Sequence, residues 1–300
     1  MSRRGLVLFS LMGVIWGMPY LFIKEAVASL SPASVVSVRT LGAALLLLPL
    51  AAHQGALRPA FRHWRWVLAF GLIEMAGPFM LLSSAEQTLP SSVTGLLVST
   101  VPLVAAVIAF TRGDRSALQV RRVAGLAIGI AGVALVVSGG SDGSVNAIGV
   151  IMVLLTAVCY AIAPFVVATH LRDVPALGSI SVSMAAVGIG YLPIALATQD
   201  GSPTARSVAA VVALTVLCTA VAFVVFFALI AEVGPAKATL FTYVNPVVAL
   251  GLGVIVLDEQ ITGLMLAGVP LILIGCWLAT QSGFSRSTQD PVELVPADGA

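Results

Sequence analysis

Charge is scarce in this 300-residue chain: 13 acidic and 15 basic residues make up only 9% of it. A soluble domain carries about a quarter charged residues. Here apolar residues reach 59% with a mean hydropathy of +1.07, so the chain cannot stay in water and reads as a polytopic membrane protein. Cysteine is nearly absent too, and Cys159, Cys218 and Cys276 all fall in apolar runs without redox or metal-ligand spacing, which excludes a disulfide framework. The three histidines, His53, His63 and His170, are scattered and form no HExxH zinc motif. No Walker loop occurs, so the chain is not expected to use ATP directly, and neither metal nor cofactor is expected. The many Ser and Thr lack an intramembrane His to serve as base, which argues against an enzyme. An embedded enzyme acting on lipid or sugar-lipid is kept as the minor alternative.

What is present is a series of apolar runs, each near the ~20 residues that cross a bilayer core. Ten spans are predicted, over residues 6–27, 34–52, 66–86, 91–110, 119–138, 146–168, 178–198, 207–230, 236–256 and 262–281. The runs are too long for barrel strands and show no period-two alternation, so the fold class is all-α. The first run follows Arg3 and Arg4 as a signal sequence would, but it is long and has no convincing small-residue cleavage site; it is expected to be retained. The stretch from Ser282 to Ala300, rich in Ser, Thr, Asp and Pro, is expected to be a disordered tail.

The few cations fix an orientation. With the N-terminus inside, Arg3, Arg4, Arg58, Arg62, Arg65, Arg112, Arg115, Arg121, Arg122, Arg172, Lys237 and Arg286 all lie on the cytoplasmic side, and only Arg206 lies opposite. Lys24 and Arg39 fall within spans. This positive-inside bias predicts cytoplasmic N- and C-termini. It also accounts for the formal net charge of +2, which is therefore no sign of a nucleic-acid partner.

The chain repeats itself. Pro102, Asp114, Gly125 and Gly132 return as Pro246, Asp258, Gly268 and Gly275, at an offset of 144 or 143 residues, and the same offset aligns Trp16 with Tyr160. Five spans per copy is an odd number, so the second copy must be inverted relative to the first. The expected units are residues 1–141 and 142–281, each a five-helix repeat, followed by the tail 282–300.

The Trp16-Gly17 pair in the first span, a proline within spans four and nine, an acidic turn before spans five and ten (Asp114; Asp258-Glu259) and glycine-spaced spans five and ten together resemble the EamA family of the drug/metabolite transporter superfamily. The resemblance runs from about residue 6 to residue 281. Two details depart from it: Arg112-Gly113-Asp114 stands where the family more often has Gly-Glu, and Cys159-Tyr160 replaces a second Trp-Gly pair. What the resemblance implies is a multi-pass carrier of the bacterial inner membrane, commonly an exporter of amino acids or other small metabolites.

Ionisable groups inside spans are costly and mark candidate sites. Glu74 lies about 12 Å from the inner end of span three, near the midplane of a core about 30 Å thick. It suits a substrate ammonium or proton exchange; its alternative is a carboxyl held between helices for packing. Arg39 lies roughly 7 to 8 Å below the outer end of span two, where it would grip a carboxylate at two points or snorkel to the headgroups. A small zwitterion between Arg39 and Glu74 is the geometry these depths suggest. Lys24 and Glu25 are explained by snorkelling.

Trp16 and Tyr20 share one face of span one, and with Tyr160 on span six they are expected to line a substrate pocket; packing against lipid is the alternative. Asn245, just before Pro246, faces either a freed carbonyl or the substrate. Pro19, Pro102, Pro164 and Pro246 are the expected helix hinges. The glycines of spans five and ten, Gly125, Gly129, Gly132, Gly268 and Gly275, are expected to allow close helix approach. Small-residue faces of this kind suit packing within one chain or in a homodimer. The expected partners are thus the lipid bilayer and a small-molecule substrate, with an exporter of drugs or organic cations as the rival reading, because an acid among aromatics suits cations.

Overall fold

The computed structural model describes residues 1–111, 119–139 and 146–280. Asp114 and the segment 281–300, and with them the acidic turn expected before span five and the expected tail, lie outside the described residues. The rest is helical, with no strand among the described residues. Ten helices are long and apolar enough to cross a membrane: α1 Arg3–Ala26, α2 Pro32–His53, α3 Trp64–Ala85, α4 Ser91–Thr111, α5 Val120–Ser138, α6 Ala147–His170, α7 Ala176–Thr198, α8 Ala205–Val233, α9 Leu240–Leu257 and α10 Gly263–Thr280. The protein is an all-α membrane protein of ten spans.

Apolar residues surround each helix, so the ends are set by caps. Ser2, Ser31 and Thr204 accept the backbone N–H three residues on (Gly5, Ser34 and Ser207) at 2.9, 3.2 and 3.2 Å. Asn146 accepts from both Ile148 and Gly149. Each cap satisfies amides that lipid could not.

Three of the four expected hinge prolines mark real interruptions. The α1 helix stops at Ile15 and restarts with Pro19 in its first turn. The α4 helix breaks at Ser99-Thr100, one residue before the segment Val101–Thr111 that carries Pro102. In α9 a 3₁₀ stretch, Thr239–Tyr243, precedes the regular helix Asn245–Leu257 that holds Pro246 in its first turn. Pro164, by contrast, sits inside the unbroken helix Ala147–His170. A lone proline removes one backbone bond. At the α1 and α4 breaks a Gly or a Ser-Thr pair stands just before the proline, and Pro164 lacks such a neighbour.

The helices pack in pairs that respect the repeat. The α2 helix lies along α7, and α5 along α10, so each of these helices touches its own counterpart. The α3–α6 contact is matched by α8–α1. In the α5–α10 pair the backbones interlock: a Cβ on Gly132 would stand 2.9 Å from the Gly268 carbonyl, and one on Gly275 2.5 Å from the Gly129 amide. Small residues here let main chains approach as the sequence predicts.

Two end faces follow. On one, Ser2 and Arg4 of α1 contact Glu232 of α8, and the Trp66 ring stacks on His170 at 3.4 Å. This is the arginine-rich face. On the other, the arginine-poor face, Glu25 pairs with Arg206, Gln199 bridges Ser29 and Ser31, and Thr262 donates to the Gly139 carbonyl. The helices α4 and α9 pack together through Ser91–Val98 and Asn245–Leu257, their halves near the arginine-poor face. The other half of α4, Val101–Thr111, turns instead to α5, α6 and α10.

Candidate functional site

Two π-helical turns organise the interior. The first, Leu72–Ala76 in α3, carries Glu74; the second, Val216–Val221 in α8, carries Thr219. They begin 144 residues apart, the offset of the sequence repeat. In α3 the cause is plain: Pro78 has no N–H for the Glu74 carbonyl, and the Gly77 N–H reaches back to Leu72. In α8 no proline is present; the Thr219 hydroxyl takes the Leu214 carbonyl five residues back, at 2.8 Å. Such single wide turns displace side chains from the regular helical register and recur at functional sites.

Thr219 connects this turn to the buried cation. Arg39, 7% exposed, donates from Nε to Thr219 Oγ1 at 2.9 Å, and its guanidinium lies 3.8 Å from the centre of the Phe79 ring. Its terminal nitrogens make no hydrogen bond to the described residues. Arg39 does not snorkel; one side of its fork is fixed by a hydroxyl and a ring face, and the other has the geometry a carboxylate could pair with. Tyr20, Tyr160 and Cys218 lie within electrostatic reach of it.

Glu74 is half-buried, and its carboxylate has no hydrogen bond to the described residues. Tyr160 and Cys159 of α6 feel its charge. Arg39 and Glu74 form no ion pair; Tyr160 is within electrostatic reach of both. The structure therefore gathers Tyr20, Arg39, Glu74 and Tyr160 around one interior region contributed by α1, α2, α3 and α6.

Trp16 and Asn245 lie to one side. The Trp16 ring, half-buried, packs among Phe223, Phe226 and Phe241 with centroids 5.0 to 5.7 Å away. Asn245 is half-buried, and its Oδ1 is enclosed without a hydrogen-bond partner. Gly13 and Gly17 seat this part of α1 against Val244 and Val248 of α9; a Cβ on Gly17 would come within 2.5 Å of Val248. An aromatic wall beside an unsatisfied amide can receive an apolar or cationic moiety.

Lys24 corrects the snorkelling expectation. Its ammonium donates to the carbonyls of Glu86 and Leu89 at 2.7 and 2.8 Å, because open carbonyls at the end of α3 compete successfully with water. Glu25 does face outward, in an ion pair with Arg206.

Sequence reasoning missed Thr219, Phe79 and Glu86. The repeat offset pointed near the first, since Glu74 plus 144 falls on Cys218, one residue before it. Phe79 carries no signal beyond hydrophobicity. Glu86 is the last residue of the predicted third span, an acid at a lipid boundary with no cation nearby in sequence.

A ten-helix membrane bundle with charged and aromatic residues gathered inside it is the architecture of a carrier. The sequence pattern of the EamA-like transporter family matches residues 3–138 and, a second time, residues 147–281, and the chain belongs to that family. It is 29% identical to an uncharacterized inner membrane transporter of Escherichia coli, YedA, over 88% of this chain and 89% of that protein. An uncharacterized Bacillus subtilis transporter, YvbV, is 25% identical over 94% and 93% of the two chains. A probable amino-acid metabolite efflux pump of Escherichia coli is also 25% identical, over 93% and 95%. A solved crystal structure superposes with a TM-score of 0.66, covering 93% of this chain and 97% of the other; at 19% identity it shows the shared fold alone.

Proposed function

We propose that this transporter is a secondary carrier that exports amino acids or related small polar metabolites across the bacterial inner membrane by alternating access. The two halves, residues 1–141 and 142–281, act as inverted repeats that rearrange around the site, with the termini and the arginine-rich face in the cytoplasm. The matched packing pairs and the π-turns at the repeat offset support this reading. So do the names of the relatives, an uncharacterized inner membrane transporter and a probable amino-acid metabolite efflux pump.

The observation that carries the substrate class is the Arg39 fork. A buried guanidinium fixed at Nε by Thr219, with its terminal nitrogens free, suits a carboxylate. Glu74, which like Arg39 is within electrostatic reach of Tyr160, suits the ammonium of the same zwitterion or exchanges a proton for it. The aromatic group around Trp16 beside Asn245 favours the rival, an exporter of drugs or organic cations, in which Glu74 and the rings do the binding and Arg39 does not.

Counterflow in proteoliposomes tests both, because exchange needs no assumed energy source. Vesicles are preloaded with an amino-acid mixture or with organic cations, and wild type is compared with Arg39→Gln and Glu74→Gln at two pH values. Exchange of amino acids that is lost in Arg39→Gln, with pH dependence lost in Glu74→Gln, supports the metabolite exporter. Exchange of cations alone, abolished by Glu74→Gln and indifferent to Arg39→Gln, establishes the rival.

A further inference from the structure

The arginine-poor face carries a small polar cluster outside the site described above. Glu259, in the turn between α9 and α10, accepts the Ser91 and Ser92 amides at 2.6 and 3.0 Å and so caps α4. Asp258 makes this possible: its left-handed backbone, at φ 53°, swings the next residue back across α9. A Cβ on Gly253 would stand 2.6 Å from Glu259 Oε2, so only glycine leaves room for the carboxylate.

Beside this cap sits Glu86, one residue beyond the end of α3, with no solvent exposure and neither carboxylate oxygen hydrogen-bonded. The ionisable groups facing it are Lys24 and Tyr20 of α1 and Glu259. The Lys24 ammonium is held by two backbone carbonyls, and Glu259 is held by two amides. The Glu86 carboxylate alone of the three charged groups is left without a hydrogen-bond partner, while the Ser91 and Ser92 hydroxyls, also buried, are likewise unpaired.

We propose that Glu86 is a proton-binding latch: with its proton on, the arginine-poor face stays closed by the Glu259 cap, and loss of the proton opens that face. The proposal rests on the alternating-access reading and names its regulation. An ionised carboxylate with no hydrogen bond, shut away beside a second carboxylate, is strongly disfavoured. Burial pushes the Glu86 carboxyl well above its ordinary range; Lys24 opposes the shift and Glu259 adds to it. Opening would admit water and return the group to the ordinary carboxylate range.

The sign follows from linkage. The closed face holds the extra proton, so it is favoured fully below the ordinary carboxylate range and loses that advantage as pH rises through the raised value. Tyr20 lies within electrostatic reach of both Glu86 and Arg39.

Hydrogen exchange reads the latch without any substrate. In full-length protein in lipid nanodiscs, the Ser91 and Ser92 amides are followed by mass spectrometry at pH 6 and pH 9, corrected for intrinsic exchange. Their corrected rate should rise at least about tenfold at pH 9 in wild type. It should stay slow at both values in Glu86→Gln, and be fast at both in Glu259→Ala. Lys24→Met leaves Glu86 in place but removes the opposing ammonium, so the rise should move to higher pH. Equal protection of wild type at both pH values overturns the proposal, as does a Glu86→Gln rise like that of wild type. If Glu86→Gln does not fold, a Lys24→Met rise that stays put or moves to lower pH overturns it equally. Failed counterflow with a pH-dependent Ser91 amide would sink the substrate assignment and leave the latch standing.

Discussion

At the scale of single residues the interior depends on one hydroxyl. Thr219 accepts from Arg39 and donates to Leu214, so it holds both the π-turn and the guanidinium. Thr219→Val keeps the volume and removes the oxygen. The expected result is a lower melting temperature of the purified protein, with a loss of about 1 to 3 kcal/mol from the stranded buried donor. Counterflow should show a raised half-saturation for amino acids, and Thr219→Ser should restore both readouts. A Thr219→Val protein with unchanged thermal stability and exchange would remove the threonine from the site. The repeat offset brings a reader within one residue of Thr219, but no pattern in the sequence says that its hydroxyl turns to Arg39. That choice is made by packing of α2 on α8, which brings together residues 180 positions apart.

At the scale of elements, α5 and α10 form the most intimate pair, backbone against backbone. Gly132→Leu or Gly268→Leu must push the helices apart, since a Cβ at either site already meets the opposite carbonyl at 2.9 or 2.7 Å. Thermal unfolding should record a loss of about 1 to 3 kcal/mol for each. Gly251, where an added Cβ would meet nothing within 4 Å, is the control: Gly251→Ala should hold or raise the melting temperature by the helix-propensity gain of about 0.5 to 1 kcal/mol. The element boundaries were largely legible, because apolar runs and prolines locate the ten helices and three of their interruptions. The π-turn of α8 was not. It contains neither glycine nor proline, and its wide turn comes from a threonine side chain competing for a backbone carbonyl. The 3₁₀ stretch Thr239–Tyr243 was equally hidden, since its composition does not differ from that of a regular membrane helix.

At the scale of the whole molecule the two end faces differ in charge. Twelve of the fifteen cations in the sequence are expected on one side, and the orientation this predicts is checked by labelling. In intact cells, a membrane-impermeant maleimide should modify Gln87→Cys and Asp200→Cys, whose parent residues are exposed on the arginine-poor face, and spare Arg58→Cys. Labelling of Arg58→Cys alone would reverse the proposed orientation and with it the direction in which the Glu86 latch faces.

The paired π-turns have one more consequence. Position 74 is an acid and its counterpart at 218 a cysteine, while Arg39 has Ser183 as its counterpart. Had the two halves been separate and identical subunits, each change would have appeared twice, and the interior would hold two acids and two guanidiniums related by symmetry. Joining the halves in one polypeptide lets heredity alter one member of each pair and keep the other. Under the proposed function, a symmetric ancestor could grip only a symmetric cargo or take cargo in two orientations, whereas the fused chain, with one acid and one guanidinium, would tell head from tail.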